Sequence, residues 1–199
     1  MTVGRAFYCT VMALIATALL EACRAPLPVA EARWREAREV GVREMLAPAE
    51  RAAFGGLRFY SFDERVRFRV MPTPLSPPEP LRLPASDGSI RPAHRVARVA
   101  LDFPGGEARL TLYRLDDLGE THPDLLFLPF RDAGAGRETY GAGRYVEVER
   151  LPGGVVAIDF NRAYNPDCAY GVTAQCPITP EENTVPFVVE AGEMLPAGQ

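Results

Sequence analysis

The sequence contains no lysine, so all 22 of its basic residues are arginines, set against 26 acidic residues. The resulting net charge of −4 provides no basic field for a phosphate backbone, which argues against nucleic acid as the main partner. A complete absence of lysine is typical of a coding bias toward arginine. Because the special uses of arginine are local and geometric, only places where several arginines converge carry functional information.

Serine and histidine are scarce as well, which limits the chemistry that the chain can perform. None of the four serines lies in the G-x-S-x-G setting of a hydrolase nucleophile, so serine hydrolysis is disfavoured. His94 and His122 lack metal-ligand spacing, and the glycine-rich stretch after Phe130 lacks the Lys-Ser/Thr ending of a phosphate loop. We therefore expect neither a metal nor a cofactor.

No apolar run reaches the roughly 20 residues that a membrane-spanning helix needs. The run "VMALIATALL" follows one positive charge and precedes a small residue and Cys23, which is the pattern of a secretory signal with a lipobox over residues 1–23. We expect export to a bacterial cell envelope and a membrane anchor through lipidated Cys23. Because Glu21 is unusual inside a lipobox, plain secretion or a soluble periplasmic protein is the alternative.

Cysteine is rare, with four residues in the chain. Cys9 lies in the signal and Cys23 is the lipidation candidate, which leaves Cys168 and Cys176. In an oxidising compartment two such cysteines form a disulfide more often than a metal pair or free thiols. We therefore expect a Cys168–Cys176 disulfide, which would stabilise the fold by roughly 2.5 kcal/mol.

The remaining chain, residues 24–199, is long enough for one domain with its own core. Good helix formers from about residue 28 to residue 47 predict an N-terminal amphipathic helix, with Trp34, Ala37 and Met45 on one face.

After this helix the apolar residues alternate, as in half-buried strands. "RVRFRVM" places Val66, Phe68 and Val70 on one side, and two hairpins turn at "PGG" and "LPGG". The seven prolines of residues 72–94 predict an irregular loop, and "VPFVVEAG" predicts a last strand. We predict a mostly β fold, a single antiparallel sheet that is barrel-like or folded over, with the N-terminal helix packed on it.

Two loops concentrate the rarer polar residues. The glycine-rich loop, "FRDAGAGRETYGAGRY" (residues 130–145), and the cysteine loop, "DFNRAYNPDCAYGVTAQCP" (residues 159–177), emerge from the same end of the sheet if residues 144–150 and 155–160 form a hairpin. Arginine binds anions bidentately, and tyrosine combines a ring with a directed hydroxyl. We expect these loops to form a ligand site from Arg131, Arg144, Tyr140, Tyr145, Asn161, Tyr164 and Asn165.

The two blocks "FRDAGAGRETYGAGRYVEVE" and "AIDFNRAYNPDCAYGVTAQCPITPEENTVPFVVEAGE" closely resemble DUF1684, a bacterial family of unknown function. The resemblance extends over roughly residues 30–195 and includes the F-R-D, T-Y-G-x-G-R-Y and D-F-N-x-A-Y-N-P-x-C patterns. The segment "GVTAQ" between the two cysteines departs from the pattern. The resemblance implies no established reaction, so it supports the location of the site and leaves the activity open.

Three functions remain open from the residues. The protein binds a small anionic or polar ligand at the two loops; or it is a hydrolase or lyase that uses Asp132 and Asp159 as an acid/base pair; or it is a structural protein of the cell envelope in which arginine and aspartate pair with each other. Binding is the favoured interpretation because no activated nucleophile is evident, and neither protein partners nor the oligomeric state follow from the sequence.

Overall fold

The computed structural model describes residues 27–118, 121–122, 124–172 and 174–195. The predicted signal and lipobox, residues 1–23, lie outside the described residues. Within these described ranges, no helix is both long enough and apolar enough to cross a membrane.

The chain begins with the predicted N-terminal helix. Helix α1 spans Val29–Met45, and a short helix α2 spans Pro48–Ala53 with proline at its first position, where a missing N–H costs nothing. Val42 and Glu31 are the buried residues of α1, whereas Ala37, expected on the packed face, is exposed.

Seven antiparallel strands follow and form one curled sheet, a half-barrel, with the strand order β1-β7-β6-β5-β4-β3-β2. The strands are β1 Arg67–Val70, β2 Thr73–Pro84, β3 Ile90–Phe103, β4 Gly106–Leu115, β5 Leu126–Phe130, β6 Arg144–Arg150 and β7 Val156–Asp159. The predicted mostly β fold, a single antiparallel sheet with an N-terminal helix, is confirmed.

The proline-rich stretch is a strand, contrary to the prediction of an irregular loop. Strand β2, Thr73–Pro84, pairs with β3 alone and has a break in register between Pro74 and Glu79. Because β2 is an edge strand, N–H groups that its prolines lack can fall on the side without a partner. Strand β2 therefore runs antiparallel to β3 as an ordinary edge strand, but its prolines make it poorly suited to pair with a further strand.

The predicted last strand is wrong. Residues 185–195, here called the C-terminal segment, form no strand, although Val185, Val189 and Ala191 are buried. These side chains pack against the inner face of the sheet, where they share a core with Leu112, Leu128 and Ile158. The apolar residues of this segment are spaced as in a strand because they are buried against the sheet, although the segment makes no hydrogen-bonded ladder with it.

Strands β1 and β2 are the two edges of the sheet, although they are consecutive in the chain. Aromatic rings fill the space between the edges: the ring centroid of Phe68 on β1 lies 5.0 Å from that of Phe103 on β3. Phe160 contacts Phe103 at 4.8 Å and Phe130 at 5.0 Å, both edge to face. The interior of the half-barrel is thus a packed core.

The opposite, outer face of the sheet has two parts. Near β4 and β5 it carries a second apolar cluster that includes Tyr113, Phe127 and Tyr145. Over β1, β7 and β6 it carries charged side chains instead, because Arg67, Arg69, Glu147 and Glu149 alternate with core-facing neighbours.

Candidate functional site

Asp132 and Arg144 of the glycine-rich loop form a buried ion pair. Arg144 Nη2 donates to Asp132 Oδ2 at 2.8 Å, and each side chain is only 1% exposed. Arg144 also donates to the backbone carbonyls of Val189, Ala191 and Glu193 in the C-terminal segment. Burial lowers the pKa of Arg144, while the neighbouring Asp132 opposes that shift. The guanidinium is therefore committed to the interior of the protein.

The Asp132 carboxylate is equally occupied. It accepts hydrogen bonds from Thr139 Oγ1 at 2.7 Å, from the Val189 amide at 3.0 Å and from the Gly134 amide at 3.1 Å. A carboxylate with this many donors and an arginine partner holds a loop in place. In the same loop Arg131 is exposed, and its backbone bonds to Asn183 and Val185.

At position 143 of the glycine-rich loop, only glycine fits the structure. Its φ is +102°, and a Cβ added there would lie 2.6 Å from the Phe130 carbonyl oxygen and 2.3 Å from Thr179 Oγ1. Both the backbone conformation and the close packing require glycine.

Asp159 and Asn161 lie at the end of β7, as predicted, but their side chains bind different partners. Asp159 accepts from Arg67 Nε at 2.9 Å and from the Asn161 side-chain amide at 2.9 Å. Asn161 is fully buried, and its side chain pairs with both backbone groups of Asp63 at 2.8 Å. Asn161 therefore fixes the segment before β1 and is closed to a ligand.

The structure does not bring Asp132 and Asp159 together as the acid/base pair of the hydrolase or lyase hypothesis. Asp132 is buried against Arg144, and Asp159 borders the outer face against Arg67. The two carboxylates share no hydrogen-bond partner among the described residues, and each has its own arginine. This separation is a correction to the predicted site.

The tyrosines and the second asparagine also hold the fold. The Tyr145 hydroxyl donates to the Pro177 carbonyl, and the backbones of Tyr145 and Tyr164 exchange two hydrogen bonds of 2.9 Å. The Asn165 side-chain amide donates to the Met194 carbonyl at 2.9 Å. Tyr140 is half-buried beside the cysteines, and burial raises the pKa of its hydroxyl. Tyr164 also lines a surface groove.

Glu193 is the centre of this buried hydrogen-bond network, and the sequence did not reveal it. Its fully buried carboxylate accepts from Arg38 Nε at 2.8 Å, from the Asn165 amide at 2.8 Å and from the Tyr170 hydroxyl. Helix α1, the cysteine loop and the C-terminal segment therefore meet at one carboxylate. A lone glutamate near the C-terminus gives no such signal in a single sequence.

Cys168 and Cys176 are close together as free thiols in this structure. The Cys168 amide lies 3.4 Å from Cys176 Sγ, and burial raises the pKa of the Cys176 thiol to about 11. The Cys176 amide donates to Ser86 Oγ at 3.3 Å, and the Ser86 amide donates to the Cys176 carbonyl at 3.0 Å. The cysteine loop is thereby held against the β2–β3 turn.

A groove of about 1590 Å³ lies on the outer face of β1, β7 and β6, and is here called the outer groove. Its lining also includes residues of helix α1, of the start of the cysteine loop and of the stretches around His122 and Pro152. Its charged lining is Arg38, Arg67, Arg69, Arg150, Arg162, Glu64, Asp124, Glu147, Glu149, Asp159 and Asp167. This lining includes Asp159 and Tyr164 from the predicted site and no residue of the glycine-rich loop.

Three arginines of the groove are paired with carboxylates, two of which are buried and two of which line the groove itself. Arg38 is held by buried Glu193 at 2.8 Å, and Arg162 lies 3.4 Å from buried Glu31. Arg67 is paired with Asp159 at 2.9 Å and with Glu64 at 2.7 Å. The Arg38 guanidinium also lies over the Tyr164 ring at 4.9 Å. These side chains are preorganised at the surface of the groove.

A metal site finds no support in the described ranges, because no three His, Cys, Asp or Glu side chains there are grouped to hold an ion. His94 faces Asp116 at 2.8 Å, and His122 contacts its neighbour Thr121.

The fold and site define a half-barrel with a buried polar scaffold and a charged outer groove. The model of DUF1684, a family described as proteins of unknown function, matches residues 52–194. A solution NMR structure of an uncharacterized protein from Haloarcula marismortui is 32% identical, with a TM-score of 0.63, over 83% of this chain and 92% of that chain. No curated protein matches the chain. The chain belongs to the DUF1684 family.

Proposed function

We propose that the protein is an exported binding protein, anchored to the bacterial membrane through lipidated Cys23, that holds a small polar or anionic ligand in the outer groove. The observation that carries this proposal is the convergence of Arg38, Arg67 and Arg162 on the groove from three different elements. Each guanidinium is paired with a carboxylate, so these side chains lose little conformational entropy when a ligand binds.

The position of the groove revises the predicted contribution of each loop. The cysteine loop supplies Asp159, Arg162, Tyr164 and Asp167 to the lining. The glycine-rich loop supplies the buried Asp132–Arg144 pair, which holds the C-terminal segment and keeps the sheet in shape. We therefore assign ligand contact to the first set and support to the second.

An acid/base enzyme is the weaker candidate, because Asp132 and Asp159 lie in separate environments. A structural envelope protein without a ligand site is the remaining alternative. It predicts that groove variants alter neither binding nor any other property beyond stability.

The proposal is tested by a thermal-shift screen of the purified protein against cell-envelope and metabolite compounds. Arg162→Gln is the informative variant, since it removes a groove guanidinium that is 41% exposed. Arg109→Gln is the matched control, because Arg109 is 84% exposed, has an acidic partner in Glu107 and lies outside the groove lining. A compound that raises the Tm of the parent and the control, but not of Arg162→Gln, supports groove binding. The absence of any such compound would favour the structural alternative.

The anchor is tested separately, in cells. We expect the parent to fractionate with membranes and to incorporate a fatty-acid label, and Cys23→Ala to lose both properties while Cys9→Ala keeps them. Label-free parent protein in the soluble fraction would instead support plain secretion.

A further inference from the structure

Two opposite charges face each other across the floor of the outer groove. Ala157 on β7 is the register partner of Arg69 on β1 and also of Glu149 on β6. The three residues therefore form one row across three adjacent strands, with a methyl group in the middle. Since neighbouring strands lie about 4.8 Å apart, the Cα atoms of Arg69 and Glu149 are separated by about 10 Å.

No described residue neutralises either end of this row. Among the residues that the structure describes, neither Arg69 nor Glu149 has an ion-pair partner, whereas neighbouring Arg67 is paired with Asp159 and Glu64. Both side chains are exposed and line the groove. A small residue between them leaves a trough, because a longer side chain at position 157 would fill it.

The trough carries complementary walls for a ligand with two opposite charges. Glu147, exposed on β6 beside Glu149, extends the acidic wall, while Arg69 alone supplies the unpaired charge of the opposite wall on β1. A purely anionic ligand would meet the carboxylates of β6, and a purely cationic ligand would meet the guanidinium of Arg69. A dipolar ligand places each charge against its opposite.

We propose that the outer groove binds a dipolar ligand, such as a short peptide with free termini, with its carboxylate toward Arg69 and its ammonium toward Glu149. This inference rests on the proposed groove-binding function and specifies the chemistry of its ligand. A tripeptide in extended form spans about 10 Å, which is comparable with the separation of the Arg69 and Glu149 Cα atoms. Ala157 provides the floor on which its backbone lies.

The test uses triglycine, its N-acetyl form, its C-terminal amide and the doubly blocked form, titrated against the protein while amide NMR shifts of β7 are followed. We expect triglycine to shift these resonances, and each blocked form to bind about fivefold more weakly, as for the loss of one exposed ion pair. Binding by triglycine should also weaken as salt is added.

Charge reversal separates recognition from stability. Arg69→Glu and Glu149→Arg should each abolish triglycine binding, and the double variant should restore it because the ligand can turn round. Arg109→Glu, on an exposed position outside the groove, should leave binding unchanged. Equal binding of blocked and free peptides, or no rescue by the double variant, would overturn the dipolar inference. If triglycine fails while another compound shifts β7, groove binding stands and only the dipolar assignment is lost; if nothing shifts β7, both fail.

Discussion

The carboxylate of Glu193 lies 2.8 Å from Nε of Arg38, so the C-terminal segment and the first helix are joined by a partly buried ion pair. The side chain of Glu193 is 1% exposed, and that of Arg38 is 17% exposed. Because Arg38 also lines the outer groove, the same contact links the stability of the fold to the shape of the candidate binding surface.

Removing the charge of Glu193 should strongly destabilise the protein. Glu193→Gln removes the buried carboxylate from Arg38, which keeps Asp167 and the Asn165 carbonyl and is partly exposed, so the loss should be that of a charged hydrogen bond, about 1.5–3 kcal/mol. We expect that loss in the free energy of unfolding, measured by urea titration. Glu190→Gln, three residues earlier and exposed, is the control and should stay within about 0.5 kcal/mol of the parent. A Glu193→Gln variant as stable as this control would show that the ion pair contributes no net stability.

Arg144 should behave as an internal support. Arg144→Met removes the only cation paired with the buried Asp132 among the described residues, together with a donor to three backbone carbonyls, which should lower the free energy of unfolding by about 3–5 kcal/mol. Arg144→Lys should not restore stability, since an ammonium cannot reproduce the planar fork.

Arg131→Gln is the matched control for Arg144, because Arg131 is its exposed neighbour in the glycine-rich loop. Urea unfolding of the three variants decides the role. An Arg144→Met protein of parental stability that has lost ligand binding would return Arg144 to the ligand site.

If the protein is exported as we propose, its cysteine pair should be oxidised in protein isolated from cells. We expect no thiol at Cys168 or Cys176 to react with an alkylating reagent before reduction, and both to react afterwards. Reduction should lower the free energy of unfolding by roughly 2.5 kcal/mol. Cys168→Ser supplies the comparison, because its unfolding should not respond to reduction. Two reactive thiols in unreduced protein would mean that the pair stays reduced, as in the structure.

Alkaline pH should destabilise the protein through its buried tyrosines. Burial, reinforced by Glu138, raises the pKa of Tyr60 to about 12, and burial and Glu193 raise the pKa of Tyr170. The folded state then holds these protons more tightly than the unfolded chain, so the stabilisation is complete below about pH 10 and is lost as pH rises through the folded values.

Urea unfolding between about pH 8 and about pH 12 measures this loss, with tyrosinate absorbance as a second readout. Tyr60→Phe and Tyr170→Phe should each make the free energy of unfolding fall less steeply with rising pH, because each removes one titrating hydroxyl. A stability that does not fall with rising pH would contradict the assignment.

The sequence predicted the fold well wherever side-chain alternation and burial coincide. The β3–β4 hairpin follows from Val99, Leu101 and Phe103 facing Leu110 and Leu112, all buried in the same core. The prolines of β2 led to the wrong prediction of a loop, because proline is excluded from central strands but is tolerated in edge strands. The C-terminal segment has the apolar spacing of a strand but packs on the sheet without hydrogen-bonded pairing. Spacing alone cannot distinguish such a segment from a strand.

The candidate site was predicted only in part. Asp159 and Tyr164 line the groove, but Arg144 and Asn161 are buried supports. Polar residues concentrated in loops mark ligand sites and internal hydrogen-bond networks alike, so the sequence could not separate them. The groove itself depends on the register of β1, β7 and β6, which places Arg69, Ala157 and Glu149 in one row and leaves no trace in the sequence.

The C-terminal segment has a consequence for the synthesis of the chain. It supplies the carbonyl acceptors of Arg144 and the carboxylate that holds Arg38, although none of its residues forms a strand. A ribosome-bound chain that ends before residue 193 lacks the carboxylate that pairs with Arg38 and one of the three carbonyl acceptors of Arg144. We therefore expect the buried polar network around these two arginines to be complete only after residue 193 has been synthesised.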